Sequence, residues 1–124
     1  HIGLETAAFQ LSLFDSLPPE VQHRYLREVV KSLPDLRTEI AAMTEAWQHG
    51  DAERLAQLVN EDESDPVLMQ ALLVNRNRTW AEWIRQRMDR PGAVFMAVGA
   101  GHLAGKDSVQ DFLRGHGLTA QRVQ

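Results

Sequence analysis

The residue whose type and setting best suit chemistry is His102. Ahead of it, Ala93-Val94-Phe95-Met96-Ala97-Val98 forms an unbroken apolar run between Pro91-Gly92 and Gly99-Ala100-Gly101. A run of this length bounded by turn residues predicts a strand buried on both faces. Gly99 and Gly101 permit a sharp turn and a close backbone approach. His102 is thereby expected just past the carboxyl end of a central strand, where open α/β sheets hold their ligands. Its imidazole titrates near neutrality and can bind a metal ion. A histidine in this place can equally be structural, bonded to a nearby carbonyl, and the spacing alone leaves both readings open.

Arg76 is the second candidate. A helix is predicted from Pro66 to about Arg90, with Met69, Leu72, Leu73, Trp80, Trp83 and Ile84 on its apolar stripe. At 100° per residue Arg76 falls near the middle of that stripe, Asn77 at its margin and Arg78 on the opposite face. A guanidinium among tryptophans and leucines is costly unless a carboxylate or several carbonyls take its fork. Two arrangements satisfy it, a buried ion pair or stacking on Trp80. Glu5 stands at the end of the short apolar piece Ile2-Gly3-Leu4-Glu5, which could close a strand.

The elements that must position these residues are mostly helices. Apolar spacing predicts helices over Ala7 to Leu17, from Pro19 to about Leu33, and over Leu36 to Trp47. Asp51 is a fitting N-cap for a short helix holding Leu55, Leu58 and Val59, and Gly50 a fitting end to the one before. Asn60 to Asp65 is the one charge run and reads as a solvated loop, with Ser64 or Asp65 capping the helix that Pro66 begins. A last helix, Ser108 to Arg114, separates the central run from Leu118–Val123, which reads as a second strand. Strand, helix and strand make a βαβ unit with parallel strands. The expected fold is therefore α/β: a helix-rich single domain, 1–124, around a small, mainly parallel sheet of two or three strands. His23, His49 and His116 fall at helix-surface or turn positions and receive no role.

Composition narrows the function. With 13 Lys+Arg against 17 Asp+Glu the 124-residue chain is mildly acidic, and no basic stripe carries interleaved aromatics, so nucleic acid is not an expected partner. The lack of cysteine removes thiolate metal sites and thiol nucleophiles. No phosphate-binding GxxxxGK[ST], dinucleotide GxGxxG, HExxH or GxSxG occurs. No apolar run reaches the length of a membrane span. The chain opens at His1 without methionine, which suggests a piece of something longer.

Three separated segments share one resemblance. Gly3-Leu4-Glu5-Thr6, Arg76-Asn77-Arg78-Thr79-Trp80 and Val98-Gly99-Ala100-Gly101-His102-Leu103-Ala104-Gly105 resemble the carboxyl-terminal half of the TraB/GumN family. That family includes the Tiki-type proteins and is grouped with the erythromycin-esterase and ChaN-like fold. Its GxxH motif matches Gly99 to His102, and its RNxxW helix motif matches Arg76, Asn77 and Trp80. Its GLE segment matches Gly3 to Glu5. The family's helix motif is often preceded by an acidic residue, where this chain has Asn75.

The resemblance implies a larger domain of which this is the carboxyl-terminal half, with a second GxxH motif in an amino-terminal half. It also implies a metal-dependent hydrolase acting on peptides, with a weak pointer to the cell envelope; the alternative is a protein that grips or sequesters a peptide without chemistry. In such a site His102 would bind a divalent ion (manganese, cobalt, zinc or iron). Glu5 would be a second ligand or the general base, and Arg76 would orient Glu5 or steady the oxyanion. Gly99, Gly101 and Asn77 would support the loop. Two ligands do not complete a catalytic metal site, so the chain alone is expected to be inactive and without metal. A sheet with so apolar a centre and open edges is expected to pair with another copy as a two-fold dimer.

Overall fold

The computed structural model describes residues 2–60, 65–103 and 105–123. Helices are α1 (Ala7–Asp15), α2 (Pro19–Ser32), α3 (Leu36–Gln48), α4 (Ala52–Asn60), α5 (Pro66–Met69), α6 (Asn75–Met88) and α7 (Val109–Gly115). Gln70–Val74, between α5 and α6, is π-helical, so the predicted helix from Pro66 is one rod with a changed register in its middle. The GxxH motif ends in a 3₁₀ turn, Ala100–His102.

Local chemistry explains most helix ends. Thr6 caps α1 by accepting from the Phe9 N–H, and Pro18-Pro19 stops one helix and starts the next. Asp51 accepts from the Arg54 N–H at 2.9 Å, and Gly50 closes α3 with φ +65°. Asp65 caps α5 through the Val67 N–H, with Pro66 at its first position. Of the charge run, Glu61 to Ser64 lie outside the described residues.

The sheet expected from the sequence is not there. Helix makes up 66 % of the structure, and no described residue forms a β-strand. Ile2–Glu5, Ala93–Val98 and Leu118–Val123 all run without strand pairing, so the βαβ unit and the parallel sheet are corrected to a helical fold with unpaired connecting segments. The reason is physical. An apolar run becomes a buried strand only when neighbours take its backbone and its side chains, and residues 93–98 make no backbone hydrogen bond among the described residues. Phe95 is 93 % exposed and Val94 50 %, where a central strand would hide both.

Two small cores hold the helices. Trp80, Ala81, Val109 and Leu113 join α6 to α7, with Leu4, Val98 and Leu118 packed against them. Leu17, Val21 and Leu68 join the α1–α2 region to α5. α4 lies against the 3₁₀ turn. The α6–α7 core positions the site, and its integrity is measurable. Leu113→Ala should cost about 2–5 kcal/mol by opening a cavity. Leu26→Ala, on an exposed face, should stay within about 0.5 kcal/mol. Urea unfolding of both variants checks this, and equal losses would contradict the assignment of the core.

Candidate functional site

The site begins with two successive residues at the start of α6. Arg76 follows the π-helical stretch, and its guanidinium meets Glu5 side on: Nε donates to Oε1 and the second terminal nitrogen to Oε2, both at 2.9 Å. The remaining terminal nitrogen donates to the Leu72 carbonyl at 2.9 Å. Glu5 also accepts from the Gln10 amide at 3.2 Å. The side chains are 17 % exposed for Arg76 and 7 % for Glu5, so the fork sits largely out of water. Arg76 also lies over the Trp80 ring, 5.0 Å from its centroid. The two arrangements open to this arginine, ion pair and stacking, occur together.

Asn77 faces the other way and is completely buried. Its Nδ2 donates to the Asp107 carbonyl at 2.8 Å, and its Oδ1 lies 2.6 Å from Nδ1 of His102. The two contacts fix each other. A reversed amide would press its oxygen against the Asp107 oxygen, so Oδ1 must face the histidine and Nδ1 must carry the proton. Nε2 is then a bare lone pair, and it has no partner among the described residues. Asp107 turns its carbonyl to Asn77 through a left-handed backbone, φ +58°, which aspartate tolerates better than most residues. Ser108, buried, then caps α7 by accepting from the Asp111 N–H.

His102 stacks at a tilt on Trp80, with ring centroids 4.6 Å apart. Burial pushes its imidazole down from 6.5 to about 4, with the Arg76 charge adding to the shift and Glu5 opposing it. Burial works on Glu5 in the opposite sense and would raise its carboxyl. Hydrogen bonds from Arg76 and Gln10 outweigh it and hold the group below its ordinary 4.5. At neutral pH the site therefore holds a neutral imidazole beside a closed ion pair.

The sequence-selected residues fall into two groups. Glu5, Arg76, Trp80 and His102 line one cleft of about 850 Å³, together with Trp83 and residues 93–98. Asn77 lies behind them and acts through His102. Gly101 is buried in the 3₁₀ turn. Gly99 has φ −62°, and a Cβ placed there would meet His102 Cδ2 at an ordinary 3.8 Å, so its backbone makes no special demand for glycine. Asp107 and Gln10 carry no signal in the sequence, since each acts through one atom on a loop or helix surface. Among the described residues no three of His, Cys, Asp and Glu come together as a metal-binding group.

Both titrations carry the same sign. From pH 6.5 down to about 4 the unfolded chain protonates at this histidine while the folded protein resists, so stability falls as acid is added across that window. Glu5 adds a second loss, full stability above 4.5 giving way as the pH drops through its lower folded value. His102→Gln should flatten the first slope. Glu5→Gln should keep that slope and carry it to lower pH, because it removes the charge that opposes the histidine's shift, and should cost about 3–5 kcal/mol at neutral pH by stranding Arg76. Urea unfolding at pH 7, 5.5 and 4 separates them, and an unchanged slope in His102→Gln would contradict the shift.

No curated protein and no solved structure gives a significant match to the chain. One family description does, matching residues 1–122 and so spanning the Glu5 segment, the Arg76-Asn77 helix and the GxxH turn together. This chain belongs to the TraB/PrgY/gumN family.

Proposed function

We propose that the cleft is one wall of a hydrolytic site acting on peptides, with His102 as one ligand of a divalent metal ion. One observation carries the reading: the Asn77–His102 bond leaves Nε2 as an oriented, neutral lone pair at a cleft. Metal-ligating histidines are prepared this way, their other ring nitrogen tied to an oxygen that sets tautomer and angle. A histidine whose conjugate acid dissociates near pH 4 is a weak base at neutral pH but an unprotonated ligand.

The fit to an ion is partial. A catalytic ion keeps about three protein ligands, and no such group exists among the described residues. Glu5 already accepts from Arg76 and Gln10 through its two oxygens. Its part is then to hold Arg76, and the remaining donors belong elsewhere, as on the second GxxH motif that the family resemblance implies. An ion bound here would polarise the scissile carbonyl and ease deprotonation of water.

This chain's own residues supply the rest. Arg76 commits two nitrogens to Glu5 and one to Leu72, which still leaves N–H groups on its terminal nitrogens. Those can steady the negative charge that develops on a carbonyl oxygen. Trp80 and Trp83 give the cleft an apolar wall beside the reacting bond. Water adds to the carbonyl carbon, the C–N bond breaks, and the products are a carboxylate and an amine.

The test is turnover of a peptide library by the full-length protein, with metal content measured in parallel. Chelator should abolish cleavage and manganese or cobalt should restore it. His102→Gln should remove it, and Asn77→Ala should lower it about 10–100-fold while weakening metal retention. Cleavage that survives chelator or His102→Gln would overturn the reading. Tight peptide binding with no cleavage at all would favour a sequestering protein instead.

A further inference from the structure

An asparagine amide has nearly the same shape either way round, so Asn77 by itself does not choose a tautomer for His102. With Oδ1 towards the ring it accepts from Nδ1–H. Turned over, it donates to a bare Nδ1 and leaves the proton on Nε2. Both arrangements satisfy Nδ1, and only the first leaves Nε2 with a lone pair. The tie is broken on the opposite side of the amide. The Asp107 carbonyl oxygen lies 2.8 Å from Nδ2, and an oxygen there admits only a donor. Asn77 is fully buried, so bulk water does not replace that partner.

The carbonyl reaches Asn77 because of how the backbone stands at residue 107. Asp107 has φ +58°, the one left-handed residue other than glycine among the described residues. Gly105, before it in the same loop, has φ +74°. Ser108 returns to extended backbone and caps α7. Gln110 on α7 donates to the Leu103 carbonyl at 2.7 Å, which ties the start of the loop to the same helix. The loop that leaves His102 thus comes back to set its own histidine. The Asp107 carboxylate makes no hydrogen bond or ion pair among the described residues. Aspartate nevertheless enters the left-handed region more readily than most residues that bear a Cβ. The turn is the requirement, and the charge is incidental.

We propose that Asp107 is a positioning residue for His102, and that its left-handed backbone, not its carboxylate, decides which ring nitrogen carries the proton. The choice of nitrogen stands on these contacts alone; that the bare Nε2 binds a metal ion rests on the hydrolytic reading. Asp107 acts through one buried amide, so a substitution there changes what the histidine offers without removing any side chain from the cleft. A residue that resists positive φ swings the carbonyl off Nδ2. Asn77 can then turn over, and the imidazole holds its proton on Nε2, where it blocks an ion.

The experiment is nitrogen-15 NMR at pH 7 on the purified, chelator-stripped protein labelled at its histidines. The His102 signals are those that His102→Gln removes. Wild type should show one set, protonated at Nδ1 and bare at Nε2. Asp107→Gly keeps the turn and loses the carboxylate, and it should show the same set. Asp107→Val puts a β-branched residue where positive φ is an outlier, and Asp107→Pro locks φ near about −65°. Each should bring in a set protonated at Nε2, with circular dichroism confirming the helices. In the full-length protein Asp107→Val should weaken manganese retention about 10–100-fold, as loss of a group that orients a metal-bound histidine does, and Asp107→Gly should retain it. Wild-type His102 protonated at Nε2, a shifted set in Asp107→Gly, or an unshifted set in every folded variant of the other two would overturn the proposal. Unfolding of both Asp107→Val and Asp107→Pro would also count against it, by making the turn a folding requirement alone. A shifted tautomer with unchanged manganese retention would remove only the metal reading of His102.

Discussion

A single buried amide organises this molecule. Asn77 has no exposed surface, and each end of its side chain meets a different segment: the Asp107 carbonyl on one side, His102 on the other. A buried amide with one end unmatched costs about 1–3 kcal/mol, so helix, loop and turn must arrive together. That requirement sets the left-handed turn at Asp107, the seat of α7 on α6, and the tautomer of His102. The chemistry of the imidazole is thus decided by a residue that never faces the cleft.

Arg76, one residue earlier, does the corresponding work for the amino-terminal segment. Its fork on Glu5 is geometrically strict, and a buried pair of this kind contributes more to placement than to net stability, because desolvating both charges offsets much of their attraction. Residues 2–6 would otherwise have little to hold them beyond the contact of Leu4 with the α6–α7 core. Neighbouring residues on one helix therefore gather two distant stretches of chain around one cleft. The charge they assemble is balanced within the pair, and it is burial that keeps the histidine neutral.

How much of this the sequence disclosed depended on what each residue had to satisfy. The cost of a lone cation on an apolar stripe is local, so Arg76 and its need for an acid could be read from spacing, whereas Glu5 as that acid followed from the family resemblance. The full burial of Asn77 could not, because it arises from α7 and the backbone at Asp107 folding over a position that the helix alone puts at its margin. The strands failed for a related reason. Apolar content in Ala93–Val98 speaks of what the segment would bury, and says nothing of whether a neighbour is present to accept its backbone. Helix caps at Asp51 and, beside Ser64, at Asp65 were legible, since a cap is settled among residues three apart.

The π-helical stretch Gln70–Val74 has an effect on inheritance as well as on geometry. A π turn is in effect an α-helix that has accepted one extra residue, and that residue rotates the downstream helix by about 100° around its axis. Leu68 keeps its place against Leu17 and Val21, while Arg76, Asn77 and Trp80 keep theirs against Glu5, His102 and α7. The two ends of one rod are thus indexed to two different cores. A lineage that lost a single residue here would retain every side chain named above and a more regular helix. It would then have to surrender one set of partners, because a straight helix cannot face both.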